Sequence, residues 1–162
     1  ADIRRQLERR LRERGHAGFE AREFLRNGAF SPTDQLRFVE SMERIDAAEG
    51  EQALLALGSR VASPRRARFL LRQLDLLVAA DRGNPVRELS AEEGFVWAIA
   101  ADGTPVLPLP VDHVSWTEAF ATVLPQPASK QQGQGRILLT GTATSLARSQ
   151  LSRVGWRIEA VD

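Results

Sequence analysis

The chain has 162 residues, 43% of them hydrophobic and 27% charged, with a formal net charge of +1. That is enough for one domain with a real core or two small units, and so even a charge balance supports no strong electrostatic claim about a nucleic-acid or membrane partner. No apolar run approaches the roughly 20 residues that span a bilayer, so no integral membrane segment is expected, and the absence of cysteine excludes disulfides, thiol catalysis and thiolate metal sites.

In chain order, helical patterns come first. "DIRRQLERRLRERG" sets Ile3, Leu7 and Leu11 on one narrow stripe, and Gly15 and Gly18 break it. "FEAREFLRNG" predicts a short second helix. In "SPTDQLRFVESMERIDAAEG", Ser31 is the expected N-cap, Pro32 the first helical residue and Asp34 a first-turn acid. Leu36, Val39, Met42 and Ile45 form its buried stripe, and Gly50 is expected to close it. "EQALLALGSR" predicts a short helix, and a second Ser-Pro start at Ser63 opens a long one carrying Phe69, Leu70, Leu74, Leu77 and Val78. It should stop at Gly83, with Pro85 beyond.

After Pro85 the period changes. "GFVWAIAADGTPVLPLPV" has two apolar runs around Asp102-Gly103, a hairpin signal. Pro105, Pro108 and Pro110 lack backbone donors, so the second run is expected at a sheet edge or as an extended arm. "SWTEAFATVL" offers a capping box from Ser115 to Glu118. A flexible connector is expected near residues 125–135, where "PQPASKQQGQG" has almost nothing to bury. The chain then closes with a strand, a Thr/Gly/Ser turn, a helix expected to be capped by Ser145 with Leu146, Leu151 and Val154 facing inward, and a last strand. Helices before strands predict an α+β fold: a helical part over residues 1–84, then a small α+β part over 85–162, its sheet made of the hairpin and the C-terminal strand–helix–strand, with helices on one face.

The run "RILLTGTATSLARSQLSRVGWRI" resembles the opening strand–helix–strand of BRCT domains, where Thr-Gly also precedes a first helix. The resemblance covers this run alone, implies further strands after it, and carries no function across. Free N–H groups at the helix start, with Thr142, Thr144 and Ser145 beside them and Arg148 to neutralise charge, make an anion site conceivable. Neither a Walker-type loop nor a dinucleotide fingerprint accompanies it.

Other chemistry is thin. Asp112, His113 and Ser115 are too close in sequence to fold into a triad, and no Gly-x-Ser-x-Gly elbow occurs. His16 and His113 are the only histidines, and no metal-ligand spacing is present. No catalytic residue, metal or cofactor is therefore assigned, and an enzyme is not the expected reading. Arginines dominate the basic residues, Lys130 being the sole lysine, which fits coding bias before phosphate recognition. The chain carries 16 basic and 13 acidic residues over 1–82, and 6 and 8 over 83–162, too small an asymmetry to favour nucleic acid. Even so, Arg65 and Arg66 sit in a helix's first turn, where the dipole disfavours cations, so a partner for them is expected.

The expectation is thus a non-catalytic interaction module of a bacterial protein, with Trp116, Pro108 and Pro110 toward a protein partner. A small-molecule or phosphate-ligand domain using residues 142–148 is the alternative, and nucleic acid through the arginine-rich helices ranks third. The Ala-Asp start fits an exported protein slightly better than a cytoplasmic one.

Overall fold

The computed structural model describes residues 2–92, 94–125 and 135–161. Five helices come first: α1 (Asp2–Glu13), α2 (Phe19–Arg26), α3 (Pro32–Ile45), α4 (Glu51–Ser59) and α5 (Pro64–Asp81). The two Ser-Pro starts cap as the sequence implies, with the hydroxyls of Ser31 and Ser63 accepting from the Asp34 and Arg66 amides. Leu7 and Leu11 are buried, while Ile3, one turn earlier, is left exposed. Phe24, Phe30 and Phe38 meet in a tilted and edge-on cluster with centroids 4.4 to 5.8 Å apart. Gly58 lets α4 lie against it, since a Cβ there would come within 3.1 Å of the Phe38 ring.

Gly50 does not close α3. That helix ends at Ile45, with Asp46 taking the left-handed position, and Gly50 is the N-cap of α4 at φ 99°. The connection between them lies on the sheet: the Leu89 amide donates to Glu49 O, and the Ala48 amide to Arg87 O. This attaches the α3–α4 corner to the first strand.

The strands are β1 (Val86–Glu92), β2 (Phe95–Ala100), β3 (Pro105–Leu109), β4 (His113–Val114), β5 (Gly135–Leu139), β6 (Thr142–Ala143) and β7 (Trp156–Ala160), with helices α6 (Glu118–Val123) and α7 (Ser145–Arg153) among them. Five strands form one mixed sheet, in the order β1-β2-β3-β5-β7, and β4 and β6 make a small parallel pair beside it. The fold is α+β, a helical N-terminal part followed by a small sheet, and the hairpin does supply the C-terminal unit with its partners through the parallel β3–β5 ladder. β1, "VRELSAE", has no clean alternation, and the sequence reading omits it.

Alternate residues face opposite sides of the sheet. Val96, Ala98, Val106 and Leu138 join the core built by α1–α5, which therefore runs unbroken across residue 84. Trp97, Ile99, Leu107, Ile137, Leu139 and Trp156 build a second core with Ala147 and Leu151 of α7. Helices accordingly cover both faces, not one. The expected connector falls almost wholly on residues 126–134, outside the described residues.

Two expectations about α6 and α7 shift by a short step. Thr117, not Ser115, caps α6, and Thr144, not Ser145, caps α7. In α7 it is Ala147 and Leu151 that face inward, while Leu146 and Val154, on the adjacent ridge, stay exposed. Trp97 and Trp156 are core residues, and Trp116 is half-buried, edge-on to Phe120.

Candidate functional site

The three prolines do not mark an edge: β3 is the central strand. They mark a split within the sheet. The β2–β3 ladder contains only Ala98–Val106 and Ile99–Pro105, next to the Ala100 amide's bond to Thr104 O at 2.9 Å. In this ladder the backbone groups of residues 104, 106 and 108 point toward β2, by the alternation of antiparallel pairing. Pro108 has no N–H to donate there, nor does Pro110, next in the alternation. Pairing with β2 stops at Val106, whereas pairing with β5 continues through Leu109–Leu139. The first half of β2 and the second half of β3 therefore diverge.

A cleft of about 1030 Å³ occupies this divergence. It falls at the upper end of the roughly 300–1,000 Å³ usual for small-molecule sites. Its walls come from both sides of the sheet. Leu57, Phe69 and Leu70 belong to α4 and α5, while Phe95, Leu109 and Phe120 belong to the face bearing α6 and α7. One cavity can gather residues from both faces because the sheet is open between β2 and β3.

Gln73 lies on the inner wall. It is completely buried, its Nε2 donates to Pro108 O at 3.1 Å, and its Oε1 has no hydrogen-bond partner. The first bond satisfies the carbonyl that β2 would have paired. The second atom is left bare in a low-dielectric position, at a cost on the order of 1–3 kcal/mol.

The mouth is cationic. Arg60, the C-cap of α4, and Arg65 and Arg66, in the first turn of α5, line it with His113, Ser115 and Thr117. No carboxylate is among the described lining residues. The α5 N-terminus adds its positive dipole end, and its first turn carries no acid. Among the described residues Arg60, Arg65 and Arg66 make no ion pair, a state they share with other exposed arginines such as Arg5, Arg9, Arg68 and Arg72. Among the described residues no acid offsets the placing of Arg65 and Arg66 against the helix dipole.

The Thr142–Arg148 turn is arranged differently. The amides of Thr140, Thr142 and Thr144 donate to Leu109 O, Asp112 O and Val114 O. The Thr144 hydroxyl accepts from Ala147 N, and Thr142 Oγ1 lies 3.1 Å from His113 Nδ1. The Thr142 and Thr144 amides are thus used where β4 lies against β6. Gly141 is required because a Cβ there would sit 2.0 Å from Asp112 O, so its role is close backbone approach. Ser145 and Arg148 are exposed at the start of α7 and line neither described cavity. Pro108 and Pro110 are buried, leaving Trp116 the most accessible of the three residues expected to meet a protein partner.

A second hollow of about 500 Å³ lies between the end of α1 and the start of α4. There His16 sits between Glu51 Oε1 at 2.9 Å and Gln52 Oε1 at 3.3 Å, while Arg14 bridges Glu51 and Asp46. These bonds, Glu51 first and Asp46 second, raise the Arg14 pKa further. The cluster joins α1 to α4. Among the described residues, no group of three or more His, Cys, Asp or Glu side chains is placed to hold a metal ion.

Sequence reading misses the cleft because no single motif encodes it. One signal is legible in retrospect: Gln73 stands at Leu70+3 and Leu77−4, on the apolar stripe of α5, where a polar residue needs a reason. Comparison with protein-family models, curated proteins and solved structures found no match to this chain.

Proposed function

We propose that this chain is a non-catalytic binding domain whose cleft holds an amphiphilic anion, an apolar body carrying one carboxylate or similar group. The observation that carries the reading is the pairing of apolar inner walls with three partnerless arginines at the mouth and no described acid between them. Arg65 and Arg66 would receive the anionic head together with the α5 dipole, and Phe69, Phe95 and Phe120 would enclose the body. The reading belongs to the ligand-binding class that the sequence offered as an alternative, at a different place.

Calorimetric titration tests it with medium-chain fatty acids and arylalkanoic acids, each beside the alcohol of the same skeleton. The acids should bind and the alcohols bind about tenfold more weakly or not at all, a difference near 1.4 kcal/mol. Replacing both Arg65 and Arg66 by alanine should remove that preference without lowering the melting temperature, since both side chains are exposed. Equal binding of acid and alcohol, or an acid affinity indifferent to the double substitution, would overturn the proposal.

A further inference from the structure

We infer that two copies of this chain pair through β7, antiparallel about Ile158, so that their two sheets become one. No residue of β7 lines the cleft, so this stands apart from the reading above. β1 and β7 are the edges of the five-stranded sheet. An edge strand presents unpaired N–H and C=O groups to any strand that can match them. β1 is covered, because the Leu89 amide donates to Glu49 O and Arg87 O accepts from the Ala48 and Glu49 amides. Among the described residues, only β5 bonds the backbone of β7.

Two bonds fix which groups of β7 face outward. The Gly135 amide donates to Gly155 O and the Val161 amide to Leu139 O, so the odd-numbered residues turn their backbone toward β5. Trp156, Ile158 and Ala160 therefore turn theirs to the free edge. Antiparallel copies can meet only with these outward residues opposite one another as hydrogen-bonded pairs. Centred on Ile158, the whole of Trp156–Ala160 is aligned, and every outward N–H and C=O finds a partner. Arg157 then lies opposite the partner's Glu159, in the closer, non-hydrogen-bonded kind of pair. The neighbouring registers fail. One sets Arg157 opposite the partner's Arg157, the other Glu159 opposite the partner's Glu159, and each leaves an end of the strand unpaired. Arg157 is available for such a contact, since its side chain is 64% exposed and lies 4.0 Å from its own Glu159. On the other face Ile158, half-buried against the second core, meets the partner's Ile158 and continues that apolar layer across the axis.

Sedimentation velocity on the wild-type chain, from about 10 μM to about 1 mM, should show a monomer passing reversibly to a dimer, as a small interface requires. Arg157→Glu sets like charges opposite each other twice in one dimer and should weaken association at least about tenfold. Adding Glu159→Arg exchanges the two charges and should restore it. The chain has no cysteine, so a single introduced one reads the register. Ile158→Cys brings the two substituted positions to the axis, with Cα atoms about 5.5 Å apart and within disulfide reach. Ala160→Cys leaves them about 13 Å apart or more, beyond it. Mild oxidation should therefore cross-link the first variant and not the second. A wild-type chain that stays monomeric throughout the range overturns the inference. So does a dimer that Arg157→Glu leaves intact, or one in which Ala160→Cys cross-links as readily as Ile158→Cys. Where a cysteine variant folds poorly, the charge reversal and its restoration decide the matter.

Discussion

Gly50 shows how much one residue can hold. Its φ of 99° is a conformation other residues adopt only at a cost of about 1–2 kcal/mol, and a Cβ there would lie 1.9 Å from Leu89 O. The second constraint is the harder one, because the clashing atom is backbone in β1 and cannot rotate away. Gly50→Ala should therefore cost about 3 kcal/mol or more, and melt roughly 6–12 °C below wild type for a chain of this size. Gly28 supplies the control: a Cβ there meets nothing within 4 Å, so Gly28→Ala should change the melt by little. Equal melting of the two variants would show that the α3–α4 corner is not held to the sheet as described. At this scale the sequence marks the glycine and not its reason, since the contact with Leu89 joins positions 39 residues apart in the chain.

Elements were legible where their signals are local. Both Ser-Pro caps and the Asp-Gly hairpin follow from a few adjacent residues, and each stands where its residues placed it. The capping of α7 slipped because Thr144 and Ser145 are both good N-caps, and the choice depends on which backbone leaves the β4–β6 pair in extended geometry. Thr144→Ala should cost about 1 kcal/mol in a denaturant titration, while Ser145→Ala should cost only a few tenths. The reverse order would restore Ser145 as the cap and turn the inward face of α7 back toward Leu146. The prolines misled for a related reason. A missing donor says that a ladder must be interrupted, but a ladder can be interrupted on one side of a central strand as well as at an edge. The candidate site is a product of that one-sided interruption, which is why no run of residues announces it. Only Gln73, and the awkward placing of Arg65 and Arg66, are visible from the sequence.

Across the whole molecule, ion pairs join elements that are distant in the chain, and they give the fold an acid-sensitive arm. Arg10 of α1 is paired with Glu43 of α3, and Arg136 of β5 with Glu159 of β7. The hydrogen bonds from Arg10 and from Arg136 hold these two carboxyls below the ordinary glutamate range. Above that range both folded and unfolded chains are ionised at these groups, so the full contribution is present. Below it the unfolded chain takes up protons first, and the contribution is lost as pH falls through the lowered native values. All four side chains are partly solvated, which keeps each pair to about 1 kcal/mol or less. Glu43→Gln should therefore melt slightly below wild type at pH 7, with the gap constant down to about pH 5 and closing as the pH falls through about 4. Glu159→Gln should follow the same course, and the double variant should show the sum, since the two pairs share no side chain. A gap that persists unchanged to pH 3 would mean that packing of the glutamate stems, and not their charge, joins α1 to α3 and β7 to β5.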